Sequence, residues 1–349
     1  MLTIVGDCDQ RLFGMKPSDR LSRQTSNLHE LHLVAHASAV LSDDTVAWLV
    51  AHPGTVVASS GGRPLAVAVT ATELDAARRT IEGETGLTVT KADAIGPVYI
   101  PKLRRILRPL ALALGEQPRP VVERKLFASV YKGVTDVVTK YAWPEPALWL
   151  TRAAAALGLS PNVVTAIGLI LTIVAGWQFY VGNLAIAMAA AWLMTLLDTV
   201  DGKLARVTLT SSWLGNQLDH GNDLIHPPLW WYCLAQGIAL TEPGYAWTWP
   251  SCWIILGTYV IGRVLERGFK KQFGFNPFMW RQFDSRFRMI VSRRNIILLI
   301  MTVGLVAGRP AEAFALCALW SLVSVLIQGV RYLQAVVHSR RERISAWLG

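Results

Sequence analysis

Glycine-rich phosphate loops and zinc-spaced cysteines are both missing from this chain, and acids are scarce beside bases. The four cysteines, Cys8, Cys233, Cys252 and Cys317, have no zinc-like spacing and three lie in apolar segments. A disulfide framework and a cysteine metal site are thereby excluded. Met1 to Gly14 contains acids and no long apolar core, so no cleavable leader is expected and membrane insertion must rely on internal spans. Gly6-Asp7-Cys8-Asp9-Gln10-Arg11 holds a single glycine, too few to cradle a phosphate. Only 17% of the 349 residues are charged, 34 Lys and Arg against 24 Asp and Glu.

What the chain has instead is apolar sequence gathered at one end. Charges and short polar clusters fill the first third, while Trp, Leu, Ile and Ala runs dominate from about residue 160. Six stretches approach the ~20 residues a helix needs to cross the hydrocarbon core. The fold class expected is an α-helical membrane protein of six transmembrane helices, near 162–181, 184–204, 216–240, 246–266, 293–309 and 311–335, preceded by a small soluble α/β domain.

The connections orient these spans. Arg263, Arg267, Lys270, Lys271, Arg281, Arg286, Arg288, Arg293 and Arg294 lie between the fourth and fifth, Lys203 and Arg206 between the second and third, and both ends are basic. The alternate connections hold only Arg309. The positive-inside rule then puts both termini on the cytoplasmic side of an integral multi-pass protein, in the inner membrane if the cell is bacterial. The net charge of +10 reads as topology and as attraction to anionic membrane lipids. No nucleic-acid partner is expected, since that needs basic and aromatic residues on a soluble face.

Four segments result. Residues 1–120 read as a cytoplasmic α/β domain with strands at Leu2–Val5, Leu33–Ala37, Thr55–Ser59, Leu65–Thr70 and Pro97–Ile100 and helices at Asp44–His52 and Glu73–Glu84. Ser59-Ser60-Gly61-Gly62-Arg63 reads as a hairpin turn. Asp43-Asp44 reads either as a helix N-cap before Thr45 or, less simply, as a metal site. Residues 121–160 form a basic linker ending in an interfacial amphipathic helix at Ala147–Leu159, with a plain linker helix as the alternative. Residues 161–337 are the six-helix membrane domain, and 338–349 a basic cytoplasmic tail.

Four acids interrupt the apolar region, Asp198, Asp201, Asp219 and Asp223. A charge at mid-membrane costs about 2.5–3.5 kcal/mol on insertion scales, so acids there normally face one another or a cation. Asp198 and Asp201, three apart, share a helix face; Gly215, Asp219 and Asp223, spaced four and four, share another. Four acids that close would repel unless something positive held them, and oxygen ligands suit a divalent metal pair. Gly202, Ala205 and Gly215 are small enough for a flat ring or a second helix to approach closely. Arg206 is suited to fork onto a phosphate oxygen.

The whole string, D-x-x-D-G-x-x-A-R-x(8)-G-x-x-x-D-x-x-x-D, resembles the signature of the CDP-alcohol phosphotransferase (CDP-alcohol phosphatidyltransferase) family at every motif position. The resemblance covers about residues 145–335 and includes Ser160-Pro161-Asn162-Val163-Val164-Thr165 ahead of the first span. It implies a six-helix membrane enzyme, commonly a homodimer, that moves a substituted phosphate from a CDP-alcohol donor to an alcohol or polyol phosphate acceptor and releases CMP. By the family pattern Asp198, Asp201, Asp219 and Asp223 hold two divalent cations, Mg2+ in most members with Mn2+ as the alternative. Asp223 is then also the general base, Gly202, Ala205 and Gly215 make room for cytidine, and Arg206 holds phosphate. The donor most in keeping with this is CDP-diacylglycerol, for phospholipid biosynthesis. A soluble CDP-polyol donor with a polyol phosphate or lipid acceptor is the alternative, and a divalent-cation channel or carrier the remote one.

Arg286, Arg288 and Arg293 are candidate acceptor-binding residues, because arginine suits bidentate phosphate recognition. The alternative is that they set topology and face lipid. His226-Pro227-Pro228 reads as a helix distortion outside the site. Some members of the family carry a nucleotidyltransferase-like domain ahead of the membrane part, which residues 1–120 weakly resemble. The glycine-rich loop and lysine of that domain are missing, so a catalytically silent relative is expected.

Overall fold

The computed structural model describes residues 1–26, 31–84 and 86–348, without the side chains of 214, 216 and 218–220. The chain divides into two compact units, one of Met1–Lys132, Leu148–Ser160 and Lys203–Ser211, the other of Gly133–Ala147, Pro161–Gly202 and Ser212–Gly349.

In the first unit β1 (Leu2–Val5), α1 (Pro17–Gln24), β2 (His32–His36), β3 (Ala39–Leu41), α2 (Asp43–Ala51), β4 (Thr55–Ala58), β5 (Pro64–Val69), α3 (Leu74–Glu82), β6 (Thr88–Lys91), β7 (Val98–Ile100), β8 (Arg105–Leu107), β9 (Ala111–Ala113) and α4 (Arg119–Ser129) follow in order. A five-stranded sheet runs β1-β2-β5-β4-β6, with β1 parallel to β2, β4 parallel to β6, and β5 antiparallel to both its neighbours. Period-2 alternation splits its side chains between two cores. Leu33, Ala35, Ala66 and Ala68 face Leu21 of α1 and Val46 and Leu49 of α2. Val34, Val56, Val67 and Val69 face Ala77 and Ile81 of α3.

All five expected strands form with small shifts, and the Ser59 to Arg63 turn closes with Ser59 N donating to Arg63 O. Ser42, not Asp43 or Asp44, caps α2, its hydroxyl accepting from Thr45 N at 3.4 Å. The unit also runs past residue 120, because α4 buries Val122, Leu126 and Phe127. The segment expected to be linker is therefore partly core.

Next come α5 (Pro144–Ala156), α6 (Pro161–Tyr180), α7 (Leu184–Val207), α8 (Trp213–Thr241), α9 (Thr248–Phe273), α10 (Gln282–Phe287), α11 (Arg294–Val306) and α12 (Pro310–Ser339). On α5, Leu148 and Thr151 are buried and Trp149 is exposed, an amphipathic arrangement. Among the described residues three helices, α6, α7 and α12, are long and apolar enough to cross a membrane. The fifth expected span is shorter than expected: α11 has 13 residues, about 20 Å of helix. A core of Phe179, Met194, Trp230, Trp231, Ile255 and Phe314 joins the helices of the second unit. At Gly237 a Cβ would sit 1.9 Å from the Phe179 carbonyl oxygen, so α8 approaches the end of α6 at backbone distance.

Candidate active site

The two halves of the motif lie on consecutive helices, the first on the last turns of α7 and the second on the first turns of α8. In the second unit they meet at Arg294, the first residue of α11. Its Nη2 donates to Asp198 Oδ2 at 2.6 Å and its Nη1 to Asp223 Oδ1 at 2.9 Å. Asp223 is half-exposed while Arg294 and Asp198 are largely enclosed. His226 Nδ1 donates to the Asn222 carbonyl at 2.6 Å, which leaves Nε2 as an acceptor 3.3 Å from Arg294 Nη1. The histidine set aside as a helix distortion thus touches the residue between the acids.

Asp201 is buried and turned toward α6, where Thr165 Oγ1 donates to its Oδ2 at 2.7 Å. The side chain of Asp219 lies outside the described residues. Among the described residues no three carboxylates, histidines or cysteines close on a single point. The donor set nonetheless fits a divalent cation. Asp198 and Asp223 already accept from one shared cationic group, Asp201 lies one helical turn from Asp198, and every donor is a hard oxygen.

Gly215 has a local reason for being glycine. A Cβ there would lie 2.5 Å from Asn162 Oδ1 and 2.9 Å from Ser212 Oγ, and Ser212 itself donates to Asn162 at 3.0 Å. The missing Cβ at this position lets the first turn of α6 pack close against the start of α8. Gly202 lies on α7 in the second unit, while Ala205 and Arg206, half-buried on the last turn of the same helix, belong to the first unit.

Beside Asp223 a cavity of about 140 Å³ is lined by Arg263, Arg288, Arg293 and Arg294 together with Asp136, Glu266 and Asn295. Of the three candidate acceptor arginines, Arg288 and Arg293 line it; Arg286 is exposed and stands outside the lining. Arg293 pairs with Glu266. Asp136 is buried and accepts from Thr139 N and Oγ1 at 3.0 Å and from Asn295 Nδ2 at 2.9 Å. Burial alone pushes its carboxyl up, but the Arg288 guanidinium and these hydrogen bonds outweigh that and hold it below the ordinary carboxylate range.

Sequence reasoning left Asp136, Asn295 and Thr165 out of the site and placed Arg294 only in the basic group that could form a pocket beside it, not between the acids. Thr165 carried a signal, its place in the stretch opening the first span. A lone Asp136 in a polar linker carried none.

The chain matches the family model described as CDP-alcohol phosphatidyltransferase over residues 158–339. It is 30% identical over 118 residues to archaetidylinositol phosphate synthase of Pyrococcus horikoshii, a match covering 34% of this chain and 59% of that protein. The chain thus spans about three fifths of that relative's length. Among solved structures it is similar to Mycobacterium tuberculosis phosphatidylinositol phosphate synthase with CDP-DAG bound, at 19% identity and a TM-score of 0.42, over 52% of this chain and 90% of that one.

Proposed function

Since the chain belongs to the CDP-alcohol phosphatidyltransferase family, we propose that it transfers a phosphatidyl-type group from CDP-diacylglycerol to a phosphorylated polyol and releases CMP. The observation that carries the acceptor class is one shared cavity. Asp223, in the role of general base, lines the same space as Arg263, Arg288, Arg293 and Arg294. A carboxylate within reach of an acceptor hydroxyl takes its proton as the oxygen attacks phosphorus. Guanidinium groups alongside fork onto the acceptor's own phosphate and orient the hydroxyl. The bond to phosphorus forms from the acceptor oxygen, the bond to the CMP oxygen breaks, and the proton passes to Asp223. The relative named for archaetidylinositol phosphate supports an inositol phosphate as acceptor.

Asp198, Asp201 and Asp223, with Asp219 by its place in the motif, would hold two divalent cations. Bound there, the cations would neutralise the diphosphate and stabilise the departing phosphate. Ala205 and Arg206 receive the cytidine and its phosphate, and Gly202 leaves the backbone bare beside them. In this reading α8, α9 and α11 complete six membrane passages with α6, α7 and α12, and residues 1–120 are a silent relative of a nucleotidyltransferase domain.

The test is CMP release by the purified full chain in lipid nanodiscs with Mg2+, CDP-diacylglycerol and inositol phosphate or glycerol phosphate. Release that needs both the cation and a phosphorylated acceptor is expected. Release with unphosphorylated inositol or serine at equal rate overturns the acceptor class, and no release with any pair overturns the reaction.

A further inference from the structure

The end of α7 is held by the amino-terminal domain. A helix leaves its last carbonyls without intrahelical partners. Here the chain turns in a left-handed residue, Leu209 at φ 53°, and Thr210 N returns to the Ala205 carbonyl at 3.0 Å, the pattern of a Schellman turn. That turn leaves the Val207 and Thr208 carbonyls outstanding. Both are taken by α1: Arg20 donates from Nη1 to Val207 O, and Arg23 Nη1 donates to Thr208 O at 2.8 Å. Arg20 is only 5% exposed. Burial lowers its guanidinium to about 10, against the pull of Asp43, and it stays protonated at neutral pH.

A second contact runs the other way. Lys203, in the middle of the first half-motif, is buried, donates from Nζ to the Val130 carbonyl at the end of α4 at 3.0 Å, and sits 3.3 Å from the centre of the Tyr131 ring. The last turn of α7, which carries Ala205 and Arg206, is therefore pinned before and after those two residues. Cations at a helix C-terminus are favoured by its dipole as well as by the free carbonyls. Two arginines from one short helix on two successive carbonyls also fix the rotation of the turn.

We propose that the amino-terminal domain is a positioning element of the transferase, its Arg20 and Arg23 setting the place of Ala205 and Arg206 and so the affinity for the CDP-linked donor. The inference rests on the reading of those two motif residues as the cytidine and phosphate site. It gives residues 1–132 a role that needs no chemistry of their own. Arg20 and Arg23 are positioning residues, and the signature of that role is a donor defect without an acceptor defect.

The experiment uses the full chain with Mg2+ and compares Arg20→Gln, Arg23→Gln and Arg20→Lys with wild type. CDP affinity is read by calorimetry, and donor and acceptor KM by CMP release. Arg20→Gln is expected to weaken CDP binding and raise donor KM about tenfold, with acceptor KM changed by less than about twofold. Arg23→Gln, at a less buried position, should do the same to a smaller extent if Arg20→Gln fails to fold. Arg20→Lys, which keeps a charged donor, should recover most of the affinity. Unchanged CDP affinity in both glutamine variants, or donor and acceptor KM rising together, overturns the proposal. A wild-type protein that binds no CDP overturns the functional reading beneath it instead.

Discussion

Arg294 bridges Asp198 and Asp223, with Nη2 2.6 Å from one carboxylate and Nη1 2.9 Å from the other. One guanidinium therefore fixes the separation of acids that come from two different helices. Its removal would take away the group that sets the spacing of these two carboxylates, and misplacement of a reacting group by an ångström costs about 100-fold in rate. Arg294→Met should lower kcat for CMP release by about that factor. Arg294→Lys should recover only part of it, because an ammonium cannot fork onto two acids as a guanidinium does. A kcat within about twofold of wild type in Arg294→Met would place Arg294 outside the machinery.

Asp223 is the more exposed of the two bridged acids and also lines the cavity. A half-exposed carboxylate lining the cavity that an acceptor hydroxyl would enter is well placed to take a proton. Asp223→Asn keeps the shape and one oxygen acceptor but cannot accept the proton. Its kcat should fall by about 10³-fold, the middle of the range for general-base catalysis, while CDP affinity measured by calorimetry falls far less, because Asp198 and Asp201 keep their charges and the amide keeps an oxygen toward the cations. Near-normal turnover would remove the base assignment.

Arg286 and Arg288 stand two residues apart and differ in where they point. Arg288 is buried against the cavity and its charge holds the Asp136 carboxyl down, while Arg286 is exposed. A charge-assisted hydrogen bond contributes roughly 1.5–3 kcal/mol, so Arg288→Ala should raise acceptor KM about tenfold or more. Arg286→Ala should leave it within about twofold, and the two acceptor titrations side by side check the difference. Equal effects would mean that the arginines act through a general positive field and form no pocket.

The motif helices and the expected strands were legible because their signals are local. Asp198 and Asp201 share a face by spacing alone, and the Leu33, Ala35, Ala66 and Ala68 face follows from alternation. The partners of those acids were not legible, since Arg294 reaches Asp198 across 96 residues and Asn295 reaches Asp136 across 159. No periodicity encodes such pairs. Gly215 shows a further limit: sequence marks it as small, but only packing reveals Asn162 against it. Strands such as Ala39–Leu41 and Ala111–Ala113 are too short to alternate, and only their pairing with each other defines them.

His36, at the end of β2, offers a pH test of the first unit. Arg63 Nη2 lies 3.0 Å from its Nε2, and its Nδ1 accepts from Ser38 N at 3.0 Å with Ser38 Oγ 2.8 Å away. Burial and the Arg63 guanidinium hold its pKa below the ordinary 6.5. The folded ring is then neutral where the unfolded ring is protonated, so the unfolded chain binds more protons and stability rises with pH across that window. The contribution is complete above the unfolded value and is lost as pH falls toward the folded one. Hydrogen exchange on the full chain, corrected for intrinsic rates, should show β1 and β2 losing protection between pH 7.5 and 5. In His36→Gln, which keeps a neutral polar group beside Arg63, that loss should be much smaller. Equal loss in both proteins would assign the acid sensitivity to other groups.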